Sequence, residues 1–191
     1  MPYHSNSLFI RHEGENWEVN VGDRGQYKIC PSHLKKMITQ LNIMVEKYPR
    51  VFCVVFDLHL PEYSENNAII SDLWRSLIPT IKAKYKVKDV GYCWTREQEK
   101  AQSQHYHCVL FLDGKQIRHS GKLRGIIASK WKSVGGSYFS QLEHPDYNIE
   151  HNDFQTKQAL IYRLSYHAKQ RGKGRRATQA KDYGMSRLKR K

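Results

Sequence analysis

Two histidines flank a tyrosine at His105-Tyr106-His107, inside the run Gln104-His-Tyr-His-Cys-Val-Leu-Phe-Leu112. In an extended strand the side chains alternate faces, so residues two apart point the same way. Both imidazoles therefore leave one face, while Tyr106 and Cys108 leave the other. The apolar stretch Val109 to Leu112 marks the segment as a buried sheet strand. Neutral imidazole is a common metal ligand, and two of them on a rigid strand could hold a divalent ion. Taken alone, His-x-His equally describes two unrelated histidines at a strand end. What the rest of the chain brings to that face decides between the two readings.

Residues 90–96 and 104–112 suit a hairpin centred near residue 100, with the polar stretch 95–103 as a long tip. That pairing puts Glu97 across from the start of the histidine strand. Its carboxylate would complete a three-ligand face with His105 and His107. Glu99 competes for the place, but Glu97 is closer to the strand, where geometry is fixed. Two imidazoles and one carboxylate leave coordination positions open, as a hard divalent ion needs if it must also hold a phosphate oxygen.

Further along, Tyr162-Arg-Leu-Ser-Tyr166-His-Ala-Lys169 lies in a helical pattern that opens at Asp153, a residue suited to the N-cap, and runs to about Gln170. Tyr162, Tyr166 and Lys169 share one face of that helix, and Leu160, Ile161, Leu164 and Ala168 form the adjoining apolar face. Such tyrosines can be amphipathic packing residues with surface hydroxyls. Beside a His/His/Glu metal site, a phenol could instead attack a phosphodiester and conserve the bond as a phosphotyrosine. Lys169 could stabilise the phenolate or the charge developing on phosphorus.

The elements that must position these groups read as an α+β domain: a central antiparallel sheet with helices packed mainly on one face. Strands are expected near 17–21, 51–60, 89–94, 104–112 and 138–139, with helices near 31–48, 66–85, 121–134 and 153–170. Pro79 is expected to bend the second helix. One domain over residues 1–170, its motif-bearing core about 50–170, would be followed by a mobile basic tail, 171–191. The apolar fraction of 39% is enough for a sizeable core in a chain of 191 residues.

Against 18 acidic residues stand 32 Lys and Arg, a formal charge of +14 that favours a polyanionic partner. The N-terminus lacks a charged segment followed by an apolar one, and no run approaches about 18 apolar residues, so neither a signal peptide nor a membrane span is expected. Cys30, Cys53, Cys93 and Cys108 have no Cys-x-x-Cys spacing, in keeping with a reduced, cytoplasmic protein. Tyr92, Trp94 and Trp131 could stack unpaired bases, although aromatics in apolar elements more commonly fill a core.

A His-hydrophobic-His strand followed by a helix with Tyr-x-x-x-Tyr-x-x-Lys resembles the HUH endonuclease superfamily of rolling-circle replication initiators. More closely, five segments resemble the inovirus-type and prophage replication proteins of the YagK/YfjJ C-terminal-domain type. They are Val55-Phe-Asp-Leu-His-Leu-Pro61, Trp94-Thr-Arg-Glu97, Gln104-His-Tyr-His107, Leu164-Ser-Tyr-His-Ala-Lys169 and Asp182-Tyr-Gly-Met-Ser-Arg187. Together they cover roughly residues 50–187. Their order and spacing are more specific than any one of them.

The resemblance implies an HUH/Rep-type, ferredoxin-like variant of the α+β class. Glu97, His105 and His107 would hold Mg²⁺ or Mn²⁺, Tyr166 would be the nucleophile and Lys169 its electrostatic helper. Tyr162 matches the second tyrosine of the two-tyrosine class; in the nearer family a single tyrosine is expected, which would leave Tyr162 to pack or bind DNA. His167 stands where an apolar residue is expected. The implied activity is site-specific nicking and rejoining of single-stranded DNA at a replication origin, in a bacterial host cell whose helicase and polymerase would extend the product. His59, Arg171, Lys173, Arg175 and Arg176 are the expected DNA contacts, with His59 alternatively a solvated strand end. A tyrosine transposase or relaxase with the same chemistry, and a non-catalytic DNA-binding prophage protein, are the alternatives.

Overall fold

The longest apolar run of the chain becomes β3 (Arg50–His59), whose β-branched and aromatic side chains are buried on both faces. The computed structural model describes residues 3–98, 103–140, 142–174 and 176–190. Along its full length β3 pairs antiparallel with β5 (His105–Asp113), from Val51 opposite Asp113 to His59 opposite His105. Its other edge is shared: β7 (Asp146–Glu150) pairs with residues 50–54 and β6 (Tyr138–Ser140) with residues 57–59. Beyond β5 lies β4 (Gly91–Glu97), and beyond β4 lies β8 (Tyr183–Met185), giving the order β6-β3-β5-β4-β8.

The α+β class and the antiparallel sheet are as the sequence implied, but the helices divide evenly between the faces. Val51, Cys53, Val55, Val109 and Phe111 pack with α1 (Pro31–Lys47) and α4 (Phe154–His167). Phe52, Val54, Phe56, Cys108, Leu110 and Leu112 pack with α2 (Ala68–Tyr85) and α3 (Gly121–Ser133). A slip of β5 by one residue would exchange every side chain between the two cores, so both cores hold the register of the histidine strand. Pro79 lies inside α2 without ending it. All four cysteines are buried free thiols. Among the described residues, no helix is long and apolar enough to cross a membrane.

Three local expectations change. The strand expected near 17–21 is instead β2 (Glu15–Glu18), paired with β1 (Phe9–His12) through a turn at Glu13 and Gly14, both at positive φ. The last helix stops at His167 and not near Gln170. There the Cys30 N–H donates to the Ala168 carbonyl (2.9 Å) and the Gln170 N–H to that of Lys28 (2.7 Å), which draws residues 168–170 alongside 28–30.

The third change concerns the basic tail. The chain returns to the sheet after residue 171, and Tyr183, Gly184 and Met185 pair with Thr95, Trp94 and Cys93. Gly184 lies so close to the Trp94 indole that a β-carbon there would overlap it. The density of Lys, Arg and Gly around three strand residues concealed that strand in the sequence.

Candidate metal centre

Strand register alone collects the site. Glu97 is opposite His105 and Thr95 opposite His107 across β4–β5, while His59 and Asp57 are opposite the same two histidines across β3–β5. Directly opposed residues share a sheet face, so all six side chains stand on the face that α1 and α4 cover. The ligand atoms of Glu97, His105 and His107 lie within 4.8 Å of one another. His107 Nε2 is 3.3 Å from His105 Nε2 and 3.2 Å from Glu97 Oε2. Neighbouring donors on an octahedral ion with bonds of about 2.1 Å stand roughly 3.0 Å apart, so these two separations are close to what donors to one shared ion require. The buried Thr95 hydroxyl on this face has no hydrogen-bond partner among the described residues.

Behind the donors, the Nδ1–H of His107 donates to Asp57 Oδ1 at 2.7 Å, which turns Nε2 toward Glu97 and His105. Burial opposes charge on His107, but the hydrogen bonds and charges of Asp57 and Glu97 outweigh it and raise its pKa. Burial likewise opposes an ionised Glu97, yet the His107 contact and the Lys173 and Lys169 charges bring its pKa down to about 2. His105, desolvated and next to His107, is lowered to about 4 and is therefore a neutral donor near pH 7. Flat rings bracket the pair: His59 stacks on His105 with centroids 5.3 Å apart, and His167 stacks on His107 at 5.0 Å.

Helix α4 brings the tyrosines. It is capped as the sequence indicated, with the Thr156 N–H donating to Asp153 Oδ1 at 2.9 Å. Tyr162 and Tyr166 line a cavity of about 420 Å³ that also touches Asp57, His107, Arg163 and His167. The ring centroids of Tyr166 and His107 are 5.9 Å apart. Lys169, just beyond the helix, sets its ammonium 3.6 Å from the Tyr166 ring centroid and 3.1 Å from Glu97 Oε1. It thus bridges the nucleophile candidate and the ligand candidate.

The loop after Lys169 closes over Glu97. The Gln98 N–H donates to the Gly172 carbonyl at 2.7 Å, and Gly172, at φ +77°, leaves no room for a β-carbon against the Glu97 side chain. Lys173, expected to hold DNA, points inward instead: its side chain is 7% exposed and Nζ is 3.7 Å from Glu97 Oε2. Burial, only partly offset by Glu97, lowers its pKa to about 8.

Of the other expected DNA contacts, Arg171 is exposed, and Arg176 is paired with Asp182 at 2.9 Å. Arg175 lies outside the described residues, as does Glu99. His59 is half-buried beside Ser140 and His105. Trp94 and Trp131 are core residues, whereas Tyr92 is half-buried. Two site residues went unassigned in the sequence. Asp57 was visible only as part of the Asp57-Leu-His59 strand end, and His167 only as an unexplained polar residue.

The YagK/YfjJ C-terminal domain family matches residues 20–186 of this chain. No curated protein and no solved structure matches it.

Proposed function

The chain belongs to the YagK/YfjJ C-terminal domain family, and from that premise we propose that it is a metal-dependent single-strand DNA endonuclease and strand transferase of the HUH type. Its role would be to initiate rolling-circle replication of a phage or prophage-like element. The observation that carries this reading is the placement of Tyr166 and Tyr162 in one cavity with His107, next to the Glu97/His105/His107 group. Those three residues would hold Mg²⁺ or Mn²⁺, and the two imidazole donors favour the softer Mn²⁺. A bound ion would withdraw charge from the scissile phosphate.

The chain's own groups supply the rest. The Tyr166 phenol oxygen attacks phosphorus as the bond to the 3′-oxygen breaks. The phenol gives up its proton, the departing 3′-oxygen takes one up, and the 5′-phosphate remains on the tyrosine. The Lys169 ammonium over the ring favours negative charge on the phenol oxygen, and Arg163 adds a cation to the cavity wall. Rejoining is the reverse attack by a 3′-hydroxyl.

A pool of labelled single-stranded oligonucleotides with random inserts, incubated with the protein and Mn²⁺, tests the reading. The expected result is a denaturation-resistant protein–DNA band that Tyr166→Phe abolishes and Tyr162→Phe retains. Adducts persisting in Tyr166→Phe would move the nucleophile to Tyr162. If the wild-type protein binds the pool and forms no adduct, the second reading, a DNA-binding protein without catalysis, replaces the first. That reading draws its support from Lys169 and Lys173, which already face Glu97 as an ion network would require.

A further inference from the structure

A second, larger concavity of about 1060 Å³ runs along the outer edge of the sheet, where β8 stands between α1 and α2. That volume reaches the upper end of small-ligand pockets, roughly 300–1,000 Å³, and suits an elongated occupant. Lys36, Lys181 and Arg187 line it and are exposed. Asp182, the one carboxylate in the wall among the described residues, is already paired with Arg176. The groove is therefore positively charged, which disfavours a cationic occupant and favours an anionic one.

Its wall also carries aromatic rings. Tyr92 is half-buried, with its ring stacked on Trp74 at a centroid distance of 4.2 Å and 11° between planes. Tyr183 of β8 is held by the Lys36 ammonium, 2.6 Å from its hydroxyl. A rigidly backed aromatic in a cationic groove offers stacking to an unpaired base while the cations follow the phosphates. In a duplex the bases are already stacked and cannot reach such a ring. The loop that supplies Arg176 to this groove also supplies Lys173 to the metal centre, so one backbone path joins the two sites.

We infer that this edge groove binds a run of unpaired nucleic acid flanking the strand held at the metal centre. The inference rests on the DNA reading above for the identity of the polymer, and its test is independent of nicking. Fluorescence anisotropy with a labelled 20-nucleotide mixed-sequence single strand compares the full chain with the triple variant Lys36→Gln/Lys181→Gln/Arg187→Gln, all exposed positions. The expected result is a roughly tenfold loss of affinity at low salt and a log K against log [salt] slope shallower by about 2. Tyr92→Leu should weaken single-strand binding several-fold and leave duplex binding unchanged.

An unchanged affinity and slope in the triple variant would overturn the inference, as would equal affinity for the matching duplex. The double variant His105→Ala/His107→Ala separates the two proposals, because it should form no adduct while replacement of the three groove cations in that background should still lower single-strand affinity. If the wild-type protein forms no adduct while the triple variant loses binding, the groove stands and the nicking reading falls. If adducts form and the triple variant binds normally, the reverse holds.

Discussion

Asp57 on β3 and His107 on β5 stand opposite each other in the sheet and share a 2.7 Å hydrogen bond from Nδ1 to Oδ1. The bond selects the tautomer and orientation that aim His107 Nε2 at Glu97 and His105. An ionised partner behind an imidazole also makes it the better donor. Asp57 is thus placed to position His107 within the candidate metal centre.

Replacing it by asparagine retains the shape and removes the charge. Asp57→Asn is expected to reduce Mn²⁺ affinity about 10–100-fold. Isothermal titration of the metal into the protein measures this directly. Unaltered Mn²⁺ affinity would show that His107 is held without Asp57.

Gly172 and Gly174 form a matched pair of probes for the loop over Glu97. Both have positive φ, +77° and +81°, but a β-carbon at Gly172 meets the Glu97 side chain while one at Gly174 meets nothing within 4 Å. Each alanine substitution carries a backbone cost of about 1–2 kcal/mol. Only Gly172→Ala should also displace Glu97 and weaken Mn²⁺ binding. Thermal unfolding and metal titration of the two variants check this, and equal Mn²⁺ affinities would contradict it.

His33 reports on the packing of β8 through pH. Burial, aided by the Lys173 and Lys36 charges and opposed by Asp182, lowers its pKa from 6.5 to about 4, and its ring centroid lies 3.8 Å from that of Tyr183. His4 adds a weaker repulsion. A depressed folded pKa means that the unfolded chain binds the proton first. The contribution of His33 to stability is complete above pH 6.5 and is lost as pH falls from 6.5 toward 4. Between pH 7 and 5 the loss is about 2 kcal/mol. His33→Gln should flatten the urea-midpoint profile over that interval by a corresponding amount. A profile as steep as that of wild type would argue that His33 titrates normally.

Gly184 tests whether the basic C-terminal segment belongs to the fold. A leucine there must overlap the Trp94 indole, and overpacking of this kind costs about 1–3 kcal/mol. Gly184→Leu is expected to lower the unfolding midpoint and shift tryptophan emission to the red as β8 lifts from β4. A free tail would tolerate the change with neither effect.

Much of the centre was legible because its parts are local. The alternation of a strand put His105 and His107 on one face, and a hairpin joining two adjacent strands put Glu97 opposite His105. Asp153 as the cap of α4 and the four-residue spacing of Tyr162 and Tyr166 follow from helical geometry within a single segment. These features depend on residues near one another in the chain, where backbone periodicity is enough to relate them.

The remaining features depended on contacts between distant segments. Asp57 meets His107 through a pairing of strands 50 residues apart, and its register is set by two cores that no local pattern displays. Lys173 and β8 lie in a stretch whose charge reads as solvated, yet the antiparallel β4–β8 pairing and the close approach of Gly172 to Glu97 draw it inward. Local patterning was enough to show which residues could bind a metal and in what order they stand on the strand. Assembly of the sheet selects which carboxylate backs the histidine, which lysines reach the candidate ligands and where an open basic groove is left. The reason is physical: those outcomes are set by burial and by hydrogen bonds across strands, and both exist only once the sheet is assembled.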